Sequence, residues 1–434
     1  MASDLPLSLS LYRSLSKALA PLAGLVIQAR LRRGKEDPAR VGERRGFSET
    51  ARPAGPLVWV HGASVGEVLA AAALIERLRA MNIRILITSG TASSAAIVAK
   101  RFHPDVIHQF VPYDSPRFIE RFLDRWQPSF ALLVESDLWP NLILSSVERR
   151  IPMIVINGRM SQGSFRRWRA APMTIGALLG ALEMCLAQSE DDADRFAALG
   201  SPHVFNTGNL KFDEPALAAD PAKLDRLRSM VRGRPVIVAA STHTGEDEMI
   251  IDAHRQLAGY FPNVLTIIAP RHPKRGDSIA QLADAPGLRC ALRSRGEMPS
   301  AQTDIYIADT LGELGLFYRV APIVFMGGSL VNHGGQNPIE AVKLGAAILH
   351  GPHVANFADA YRALDEQGGA RMAENSEDLV KLMGQWLADE AAREQATRAA
   401  LKVVDSLGGA LERTLAALEP YLLQLRLESG ALDA

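Results

Sequence analysis

From Leu57 to Leu349, short apolar runs alternate with amphipathic segments of helical length, and this alternation restricts the fold more than any other feature of the chain. Strands that alternate with helices form parallel sheets that are covered by helices on both faces. The sequence therefore predicts an α/β fold with doubly wound sheets. The predicted strands are Leu57–His61, Ile83–Thr88, Val106–Val111, Phe130–Val134, Met153–Ile156, Met184–Ala187, Val204–Thr207, Val236–Ala240, Val264–Ala269, Asp304–Ile307, Ile323–Met326 and Ala346–Leu349.

The alternation stops and restarts around a segment rich in proline and alanine, Asp213–Ala222, which has no strong periodicity. We interpret this segment as an interdomain linker. Two Rossmann-like domains in tandem have their ligand crevices at the carboxyl ends of the strands, and we expect these crevices to face one another across a cleft. The predicted organisation is an N-terminal amphipathic and basic segment (1–47), a first Rossmann-like domain (48–212), the linker (213–222), a second Rossmann-like domain (223–390) and C-terminal helices (391–434).

The balance of charge argues against nucleic acid as a partner. The chain has 434 residues, with 48 Lys and Arg against 48 Asp and Glu, so its formal net charge is zero. Domains that bind nucleic acid are usually basic. The only two cysteines, Cys185 and Cys290, are too few for a disulfide framework or a thiolate zinc site, and they suit a reducing compartment.

The N-terminal region combines an apolar helical stripe with a basic segment. Leu11, Leu15, Ala18, Leu22 and Val26 fall on one side of a helical wheel, opposite polar and charged side chains. The longest uncharged stretch there has 12 residues, whereas a membrane-spanning helix needs roughly 20. The segment that follows, up to residue 47, carries seven positive and three acidic side chains. These features predict binding to an anionic membrane surface. The alternative is a helix packed on its own domain, followed by a solvated basic tail.

A turn of small residues follows the first predicted strand and contains Ser64, Gly66 and Glu67. Ser64 and Glu67 have the spacing of a capping box, in which Ser64 accepts from the Glu67 amide and Glu67 reaches back to the Ser64 amide. A carboxylate in the first turn of a helix is also well placed to take a proton from a sugar hydroxyl. Both roles stay open, and we expect the turn to leave backbone N–H groups for an oxygen-rich ligand. ATP and dinucleotides are not expected, because the turn has neither a P-loop nor a GxGxxG pattern.

Two further junctions in the first half carry charged side chains. Glu135 and Asp137 follow a very apolar predicted strand. No third metal ligand is nearby, so we expect this pair to hold a substrate or to stabilise charge, with capping of the next helix as the alternative for Asp137. Lys211 lies in a turn at the proposed domain junction, where a lysine can reach a phosphate as a mobile point charge. The alternative for Lys211 is a solvated surface side chain.

The second half has the densest group of polar and glycine-rich turns. His243, Arg271 and Ser329 each follow a predicted strand. Thr310 and Glu313 have the spacing of a second capping box. Because the carboxyl ends of parallel strands share one edge of a sheet, these turns are expected to converge.

A glycine-rich loop, residues 327–340, precedes another predicted helix. Asn337 is expected to cap this helix, with Pro338 at its first position and Glu340 at its third. Glycine lets the backbone approach phosphate oxygens closely, and a helix N-terminus favours their charge. Together with Arg271, these turns predict a nucleotide site, and helix capping alone is the alternative.

The motifs in these turns occur in an order that resembles the 3-deoxy-D-manno-octulosonic acid (Kdo) transferase family of lipopolysaccharide synthesis. The resemblance runs from about Trp59 to Phe357, and the N-terminal amphipathic segment fits it too. The motifs are His61-x-x-Ser64-Val-Gly-Glu67, Glu135-x-Asp137-Leu-Trp-Pro-Asn141, Gly208-Asn-Leu-Lys-Phe-Asp213, Ser241-Thr-His243, Ala269-Pro-Arg-His-Pro273, Asp309-Thr-x-Gly-Glu-Leu314, Gly327-Gly-Ser-Leu330, Gly334-Gly-x-Asn-Pro-x-Glu340, and Gly351-Pro-His353 with Asn356-Phe357.

The resemblance implies an inverting glycosyltransferase of the glycosyltransferase B (GT-B) type, which uses CMP-Kdo as its donor and needs no metal or other cofactor. It implies action at the cytoplasmic face of the inner membrane, on a phosphorylated glucosamine-disaccharide precursor of lipid A. By position, Glu67 becomes the general base, and Glu135 and Lys211 become transition-state stabilisers. The implied CMP-binding residues are Pro270, Arg271, Leu311, Gly312, Glu313, Asn337, Pro338, Ile339 and Glu340, with Ser64, Gly66, Asp137, His243 and Ser329 as secondary candidates.

Three positions depart from the family pattern. Asp137 stands where Glu is common, Thr244 where Glu often follows the histidine, and Gln336 where His is usual. The last two bear on local donor contacts. Two other functions stay open: a different GT-B enzyme such as a UDP-sugar transferase or epimerase, and a catalytically inactive nucleotide-sugar binder at the membrane. The order of the motifs argues against the first, and the intact Glu67 argues against the second.

Overall fold

Two compact units divide the chain. In the computed structural model, which describes residues 5–34, 36–102, 104–285, 287–428 and 430, unit 1 comprises Met1–Glu214 and Gly408–Ala434, and unit 2 comprises Pro215–Leu407. Each unit contains one seven-stranded sheet in which the paired strands run parallel. The predicted α/β fold with two doubly wound sheets is therefore confirmed.

Unit 1 has its strand order reversed between β1 and β4, which is where doubly wound sheets form a ligand crevice. Its strands are β1 (Leu57–His61), β2 (Arg84–Ser89), β3 (Val106–Phe110), β4 (Phe130–Val134), β5 (Met153–Gly158), β6 (Met184–Ala187) and β7 (Val204–Asn206), in the order β3-β2-β1-β4-β5-β6-β7. Its helices are α1 (Leu7–Leu19), α2 (Ala23–Arg32), α3 (Val65–Ala70), α4 (Ala72–Ala80), α5 (Ala92–Phe102), α6 (Pro116–Trp126), α7 (Pro140–Glu148), α8 (Gln162–Arg169), α9 (Pro172–Leu179), α10 (Glu190–Ala198) and, near the end of the chain, α19 (Ala410–Glu428).

Both faces of the sheet in unit 1 are covered, as the uninterrupted apolar runs require. Alternate residues of β1 belong to two separate hydrophobic clusters: Leu57 and Trp59 pack in one, and Val58 and Val60 pack in the other. All five residues of β1 and of β4 are buried. A strand that is buried on both faces reads as a continuous apolar run, which is why the sequence located these two strands without error.

Unit 2 repeats this architecture, with its order reversed between β8 and β12. Its strands are β8 (Val236–Thr242), β9 (Leu265–Pro270), β10 (Cys290–Leu292), β11 (Ile305–Ile307), β12 (Ile323–Met326), β13 (Ala347–His350) and β14 (Ala370–Met372), in the order β10-β11-β9-β8-β12-β13-β14. Its helices are α11 (Pro221–Val231), α12 (Glu246–Ala258), α13 (Gly276–Asp284), α14 (Leu314–Tyr318), α15 (Ile339–Val342), α16 (Ala358–Glu366), α17 (Ser376–Ala388) and α18 (Glu390–Leu407).

The C-terminal helices, predicted as one segment over 391–434, are divided between the units. Helix α18 belongs to unit 2, and α19 returns to unit 1. Leu418 and Leu422 of α19 pack in the cluster that contains Val58 and Val60 of β1. The Asp213 carboxylate also accepts from the Gly409 amide at 2.7 Å. The end of the chain therefore completes the core of the N-terminal unit.

The N-terminal helix α1 packs on unit 1 through the side opposite its apolar stripe. Leu9 is buried in the core, and the Tyr12 hydroxyl donates to Asp114 at 2.9 Å. Arg13 forms an ion pair with Glu148. The exposed leucines and valine of α1, of α2 and of the turn between them form what we call the leucine stripe: Leu7, Leu11, Leu15, Leu19, Leu22, Leu25 and Val26. Within the described part of the chain, no helix is both long enough and apolar enough to cross a membrane.

The basic segment after α2 is not a solvated tail, so that part of the alternative is wrong. Arg44 is buried and donates to Glu36 at 3.0 Å, with its guanidinium 4.7 Å from the centre of the Phe110 ring. Arg30 also pairs with Glu36, and Arg40 pairs with a neighbouring glutamate. These arginines fold the segment onto unit 1, because a buried charge requires a charged or hydrogen-bonding partner.

Asp114 joins the docking of α1 to the start of α7. Its carboxylate accepts from the backbone amides of Asn141 and Leu142 at 3.0 and 2.9 Å, and from the Tyr12 hydroxyl. We expect Asp114→Ala to lower the free energy of unfolding of unit 1 by about 2 kcal/mol, because three donors lose their acceptor. Urea unfolding followed by tryptophan fluorescence measures this change, since Trp59 and Trp126 lie in the core of unit 1.

Asp124→Ala is the matched control. Asp124 lies in α6, and its carboxylate is exposed. Within the described residues, that carboxylate pairs with Arg149 alone, while the Asp124 backbone carbonyl accepts from the Gln127 side chain. Its removal should cost less than about 1 kcal/mol. Equal losses in the two variants would contradict the role given to Asp114.

Candidate functional site

The predicted site residues of unit 1 lie at one edge of its sheet. Glu67 follows β1, Glu135 and Asp137 follow β4, and Lys211 follows β7. Because the paired strands are parallel, their carboxyl ends share that edge, and β1 and β4 are neighbours at the reversal of strand order. This is the position at which doubly wound sheets bind ligands.

The Glu67 side chain folds back onto the start of α3. Its Oε1 accepts from the Ser64 hydroxyl at 2.8 Å, its Oε2 accepts from the Ala63 amide at 2.6 Å, and its own amide donates to Ser64 Oγ at 3.3 Å. The predicted bond to the Ser64 amide is therefore wrong by one residue. The expectation of free backbone donors is also wrong for the Ala63 amide, which Glu67 occupies, and for the Gly62 amide, which donates to the Thr88 carbonyl.

Burial raises the pKa of Glu67 above its usual range, and the negative charges of Asp137 and Glu135 act in the same direction. The hydrogen bonds from Ser64 and Ala63 oppose these effects. A carboxylate with a raised pKa binds a proton more strongly than an ordinary one and is still ionised above that pKa. Capping and proton acceptance are thus compatible at Glu67. Gly66, the neighbouring candidate, is exposed on α3, and a Cβ there would meet only Ser64 Oγ, at 3.8 Å.

Lys211 follows the edge strand β7, and its side chain extends to Glu135, which follows β4. Its Nζ donates to Glu135 Oε1 at 2.9 Å. Two asparagines fix its backbone: Asn157, at the end of β5, accepts from the Leu210 amide at 2.9 Å, and Asn209 accepts from the Lys211 amide at 3.1 Å. The lysine is therefore held in place, and the solvated alternative is wrong.

Two of the residues that contact this turn, Glu135 and Asn157, have left-handed backbones. Glu135 has a φ of 64° and Asn157 a φ of 50°. Asparagine adopts this region fairly readily, but glutamate rarely does. Such strain persists where the surrounding structure enforces it, often at functional sites. The Glu135 backbone therefore supports a functional role for the Glu135–Lys211 ion pair.

Asp137 does not cap α7, because Asp114 accepts from the first amides of that helix. Instead, Asp137 Oδ2 accepts from Nε2 of His61 at 3.1 Å. Burial would raise the pKa of Asp137, but hydrogen bonds with His61 and Trp139 and the charge interaction with His61 outweigh burial and lower it. Asp137 is therefore an ionised neighbour of Glu67. Across the residues that the structure describes, no group of three or more His, Cys, Asp or Glu side chains is arranged to hold a metal ion.

The predicted CMP-binding segments of unit 2 also share one edge of a sheet. Pro270 ends β9, and Arg271 follows it with an exposed side chain and an amide that donates to the Thr242 carbonyl at 3.0 Å. The segment 311–313 follows β11, and 337–340 lies between β12 and β13. The sequence prediction that these turns converge on one edge is consistent with this topology.

A buried glutamate that the sequence analysis did not single out as a site residue supports the glycine-rich loop. Glu246 Oε1 accepts from the Ser329 and Leu330 amides, both at 3.0 Å. Its Oε2 accepts from the His243 amide at 2.9 Å and the Gly328 amide at 2.7 Å. One carboxylate thus joins the turns that follow β8 and β12.

Two secondary candidates of unit 2 take different positions. The Ser329 hydroxyl is buried and accepts from the Gly351 amide at 2.8 Å, so it supports the loop. His243 stacks on His333 with ring centres 4.2 Å apart, and its Nε2 lies 3.4 Å from the side-chain amide of Gln336. Burial lowers the pKa of His243. The unusual Gln336 therefore contacts the histidine directly.

Glu313 is bound by other side chains and does not cap a helix. It accepts from Arg293 at 2.8 Å, from Lys223 at 3.0 Å and from the Thr310 hydroxyl at 2.6 Å. The predicted second capping box is wrong, because α14 begins only at Leu314 without a side-chain cap. The hydrogen bond from Arg293 is the largest of the effects that lower the pKa of Glu313 to about 2. Surface cavities of 290 and 340 Å³ are both lined by Lys223 and Glu313.

Asn337 lies one residue before the N-cap position of α15, which is Pro338, so the expectation that Asn337 is the cap is wrong by one residue. Its Oδ1 accepts from the Ile339 amide at 3.1 Å, and its Nδ2 lies 3.3 Å from Glu340 Oε1. The helix begins at Ile339 and not at Pro338, one residue later than predicted. The glycine-rich loop thus ends in a short helix whose first turn contains the acidic side chain of Glu340.

Four supporting residues were missed as site residues: His61, Thr88, Asn157 and Glu246. His61, Thr88 and Asn157 are buried polar residues near the carboxyl ends of β1, β2 and β5. A polar residue at the end of an apolar run was the available signal. Its partners could not be inferred, because they lie elsewhere in the sequence.

The two parallel-sheet units have the GT-B type of fold. The chain resembles the solved structure of a glycosyltransferase from Rickettsia africae, with a TM-score of 0.60 and 12% sequence identity, over 85% of this chain and 99% of that one. This likeness concerns the fold.

Sequence comparison identifies the family. A family model described as "3-Deoxy-D-manno-octulosonic-acid transferase (kdotransferase)" matches residues 39–214. The chain is 36% identical to the 3-deoxy-D-manno-octulosonic acid transferase of Bordetella pertussis over 425 residues, which is 95% of this chain and 99% of that protein. It is 35% identical to the enzyme of the same name from Haemophilus influenzae over 390 residues, or 88% and 91%. The chain therefore belongs to the 3-deoxy-D-manno-octulosonic acid transferase family.

We expect Glu246→Gln to lower the free energy of unfolding of unit 2 by about 3 kcal/mol, because an amide group cannot accept from all four backbone donors. Urea unfolding followed at the buried Trp386, the tryptophan of unit 2, measures the change. Glu248→Gln is the control: Glu248 is exposed on the same helix and accepts from the Gly245 amide at 3.2 Å. The role of Glu246 is contradicted if both variants unfold at the same urea concentration.

Proposed function

We propose that the chain transfers Kdo from CMP-Kdo, with inversion, to a phosphorylated glucosamine-disaccharide precursor of lipid A at a membrane surface. The observation that carries this proposal is the Glu67 carboxylate, which lies at the carboxyl edge of unit 1 with a raised pKa. The family supplies the identity of the sugar. Unit 1 is assigned the acceptor and unit 2 the donor.

In this proposal, Glu67 starts the reaction. An acceptor hydroxyl donates its proton to the Glu67 carboxylate, and the oxygen attacks the anomeric carbon of Kdo as the bond to the CMP phosphate breaks. Inversion follows from attack on the face opposite the leaving group. The negative charges of Asp137 and Glu135 favour the proton on Glu67, since both raise its pKa.

Lys211 and Glu135 are the proposed transition-state stabilisers. Negative charge grows on the phosphate as CMP departs, so a fixed cation lowers the barrier. Lys211 is suited to this task because Glu135 and the two asparagines hold it in one position. A preorganised charge needs little reorganisation during the reaction, and this is the source of its effect.

Unit 2 offers groups of the kind that a cytidylate needs. The exposed Arg271 carries a positive charge at the end of β9, and the start of α15 with Asn337 lies at the same edge. A guanidinium forms paired hydrogen bonds with phosphate or carboxylate oxygens. The second candidate function, a UDP-sugar enzyme, rests on the shared fold, and competition of CMP and UDP for the donor site separates the two.

We further propose that unit 1 binds a membrane through the leucine stripe. The exposed leucines are accompanied by exposed basic side chains, Arg32 and Arg33 at the end of α2 and Arg166, Arg167 and Arg169 in or at the end of α8. Helix α9, which follows α8, contacts α1 through a 2.6 Å hydrogen bond between Ser8 and Thr174. Apolar side chains next to basic ones suit the surface of an anionic bilayer.

Glu67→Gln should lower kcat by about a hundredfold or more while leaving the affinity for CMP nearly unchanged, because the amide cannot accept the proton. In the unaltered enzyme, transfer should fall as the pH drops through the raised pKa of Glu67. Initial rates with CMP-Kdo across a pH series, together with CMP titrations, measure both effects. Retained turnover in Glu67→Gln would refute the general-base assignment.

Leu11→Ser/Leu15→Ser should weaken binding to vesicles of anionic lipid by about tenfold or more, because apolar area is lost from the leucine stripe. Substitution is preferable to deletion, since α1 also contributes Leu9 to the core. Co-sedimentation with vesicles measures the effect, and activity on detergent-dispersed acceptor should persist.

Leu423→Ser/Leu427→Ser removes two exposed leucines at the same spacing from α19, in the same unit. This control should bind vesicles as the unaltered chain does. If both double variants lose vesicle binding equally, or if neither loses it, the assignment of the leucine stripe is refuted.

A further inference from the structure

A chain of hydrogen bonds runs from the core of unit 1 to the neighbourhood of Glu67. The Trp59 indole N–H donates to Thr88 Oγ1 at 2.8 Å, and Thr88 Oγ1 lies 2.8 Å from His61 Nδ1. His61 Nε2 lies 3.1 Å from Asp137 Oδ2. Trp59, Thr88 and His61 are fully buried, whereas the Asp137 side chain is 24% exposed.

If the His61 ring is neutral, the chemistry of the four groups allows only one direction for these hydrogen bonds. An indole N–H can only donate, so Thr88 Oγ1 accepts from Trp59 and has its own hydrogen available for His61 Nδ1. In that arrangement His61 Nδ1 accepts from Thr88, and the single ring proton lies on Nε2, which donates it to the Asp137 carboxylate. Because β1 and β2 pair His61 with Thr88, the sheet itself fixes the relative position of these two residues.

Asp137, the last group in this series of hydrogen bonds, affects the charge environment of Glu67. Three charged groups from other segments surround this part of the site: Asp137 and Glu135 after β4, and Lys211 after β7. Lys211 offsets the charge of Glu135 through their ion pair at 2.9 Å. Of the two carboxylates, Asp137 has the larger charge effect on Glu67, and it accepts a hydrogen bond from His61.

We propose that Thr88 and His61 are positioning residues that hold the Asp137 carboxylate beside Glu67 and thereby make Glu67 a stronger base. The step they assist is the transfer of the acceptor hydroxyl proton to Glu67, and no proton passes along the chain. The hydrogen bond from His61 Nε2 fixes the orientation of the Asp137 carboxylate. The catalytic part of this inference rests on the proposed function.

The first test measures the protons directly in the full chain and needs no substrate. Nitrogen NMR of histidine-labelled protein, with the His61 signal assigned through its loss in His61→Gln, should show hydrogen on Nε2 and none on Nδ1. Carbon NMR of the Glu67 carboxyl group should give a titration midpoint that moves to lower pH in Asp137→Asn. Hydrogen on Nδ1 of the unaltered chain, or an unmoved Glu67 midpoint, would overturn the inference.

The second test separates positioning from structural support. Thr88→Val removes the hydroxyl at constant shape, and Thr88→Ser retains it. We expect Thr88→Val to lower kcat about fivefold to tenfold, with the KM for CMP-Kdo unchanged and the acid limb of the pH–rate profile moved to lower pH; this fold-change corresponds to about 1 kcal/mol. Thr88→Ser should restore both quantities. The inference is refuted if Thr88→Val changes only the amount of folded protein, or if Thr88→Ser behaves like Thr88→Val.

The two tests also distinguish this inference from the proposed function. If the titration midpoint of Glu67 moves as expected but the protein does not use CMP-Kdo, the positioning role of Thr88 and His61 is supported and the proposed substrate is refuted. Transfer from CMP-Kdo with a Glu67 midpoint that ignores Asp137→Asn refutes the positioning chain and leaves the substrate assignment intact.

Discussion

Parallel strand direction is the constraint from which the arrangement of this protein follows. Every paired strand in each sheet ends at the same edge, so residues far apart in sequence meet there. In unit 1, this edge brings Glu67, Glu135 and Lys211 together; in unit 2, it collects the turns after β8, β9, β11 and β12. The reversal of strand order between β1 and β4, and again between β8 and β12, opens the space in which such turns can hold a ligand. Neither site needs a dedicated binding element.

Carboxylates that accept hydrogen bonds from backbone amides stabilise the turns at these edges. Asp114 holds the start of α7, Glu246 joins two turns of unit 2, and Glu67 holds the start of its own helix. The first two differ from Glu67 in their surroundings. Glu246 is fully buried with four amide donors, whereas Glu67 is only partly buried, is bonded at one oxygen by a hydroxyl and lies near other negative charges. The same kind of bond thus stabilises turns in both units, and at Glu67 it opposes the rise in pKa that burial and the nearby charges cause.

The sequence was sufficient wherever one segment contained the whole signal. The strands β1 and β4 were predicted to the residue, because strands buried on both faces form uninterrupted apolar runs. The strands β10 and β14 were missed because their sequences, Cys-Ala-Leu and Ala-Arg-Met, contain no β-branched or aromatic residue, whereas the equally short β7 and β11 contain them and were predicted. In the site, the motif positions of Glu67, Glu135 and Lys211 were predictable, but their bonding was not: Asn157 holds Leu210 across 53 positions, and His61 reaches Asp137 across 76. Such pairings depend on the order of strands in the sheet, which local patterns do not contain.

The most direct test of the account is the mass of the product formed when the full chain is incubated with CMP-Kdo and a detergent-dispersed disaccharide precursor of lipid A. The account predicts that the acceptor gains a whole number of Kdo residues, and that one CMP is released for each residue gained. Release of CMP without any gain in acceptor mass, or a gain that occurs only with a UDP-sugar, would contradict it.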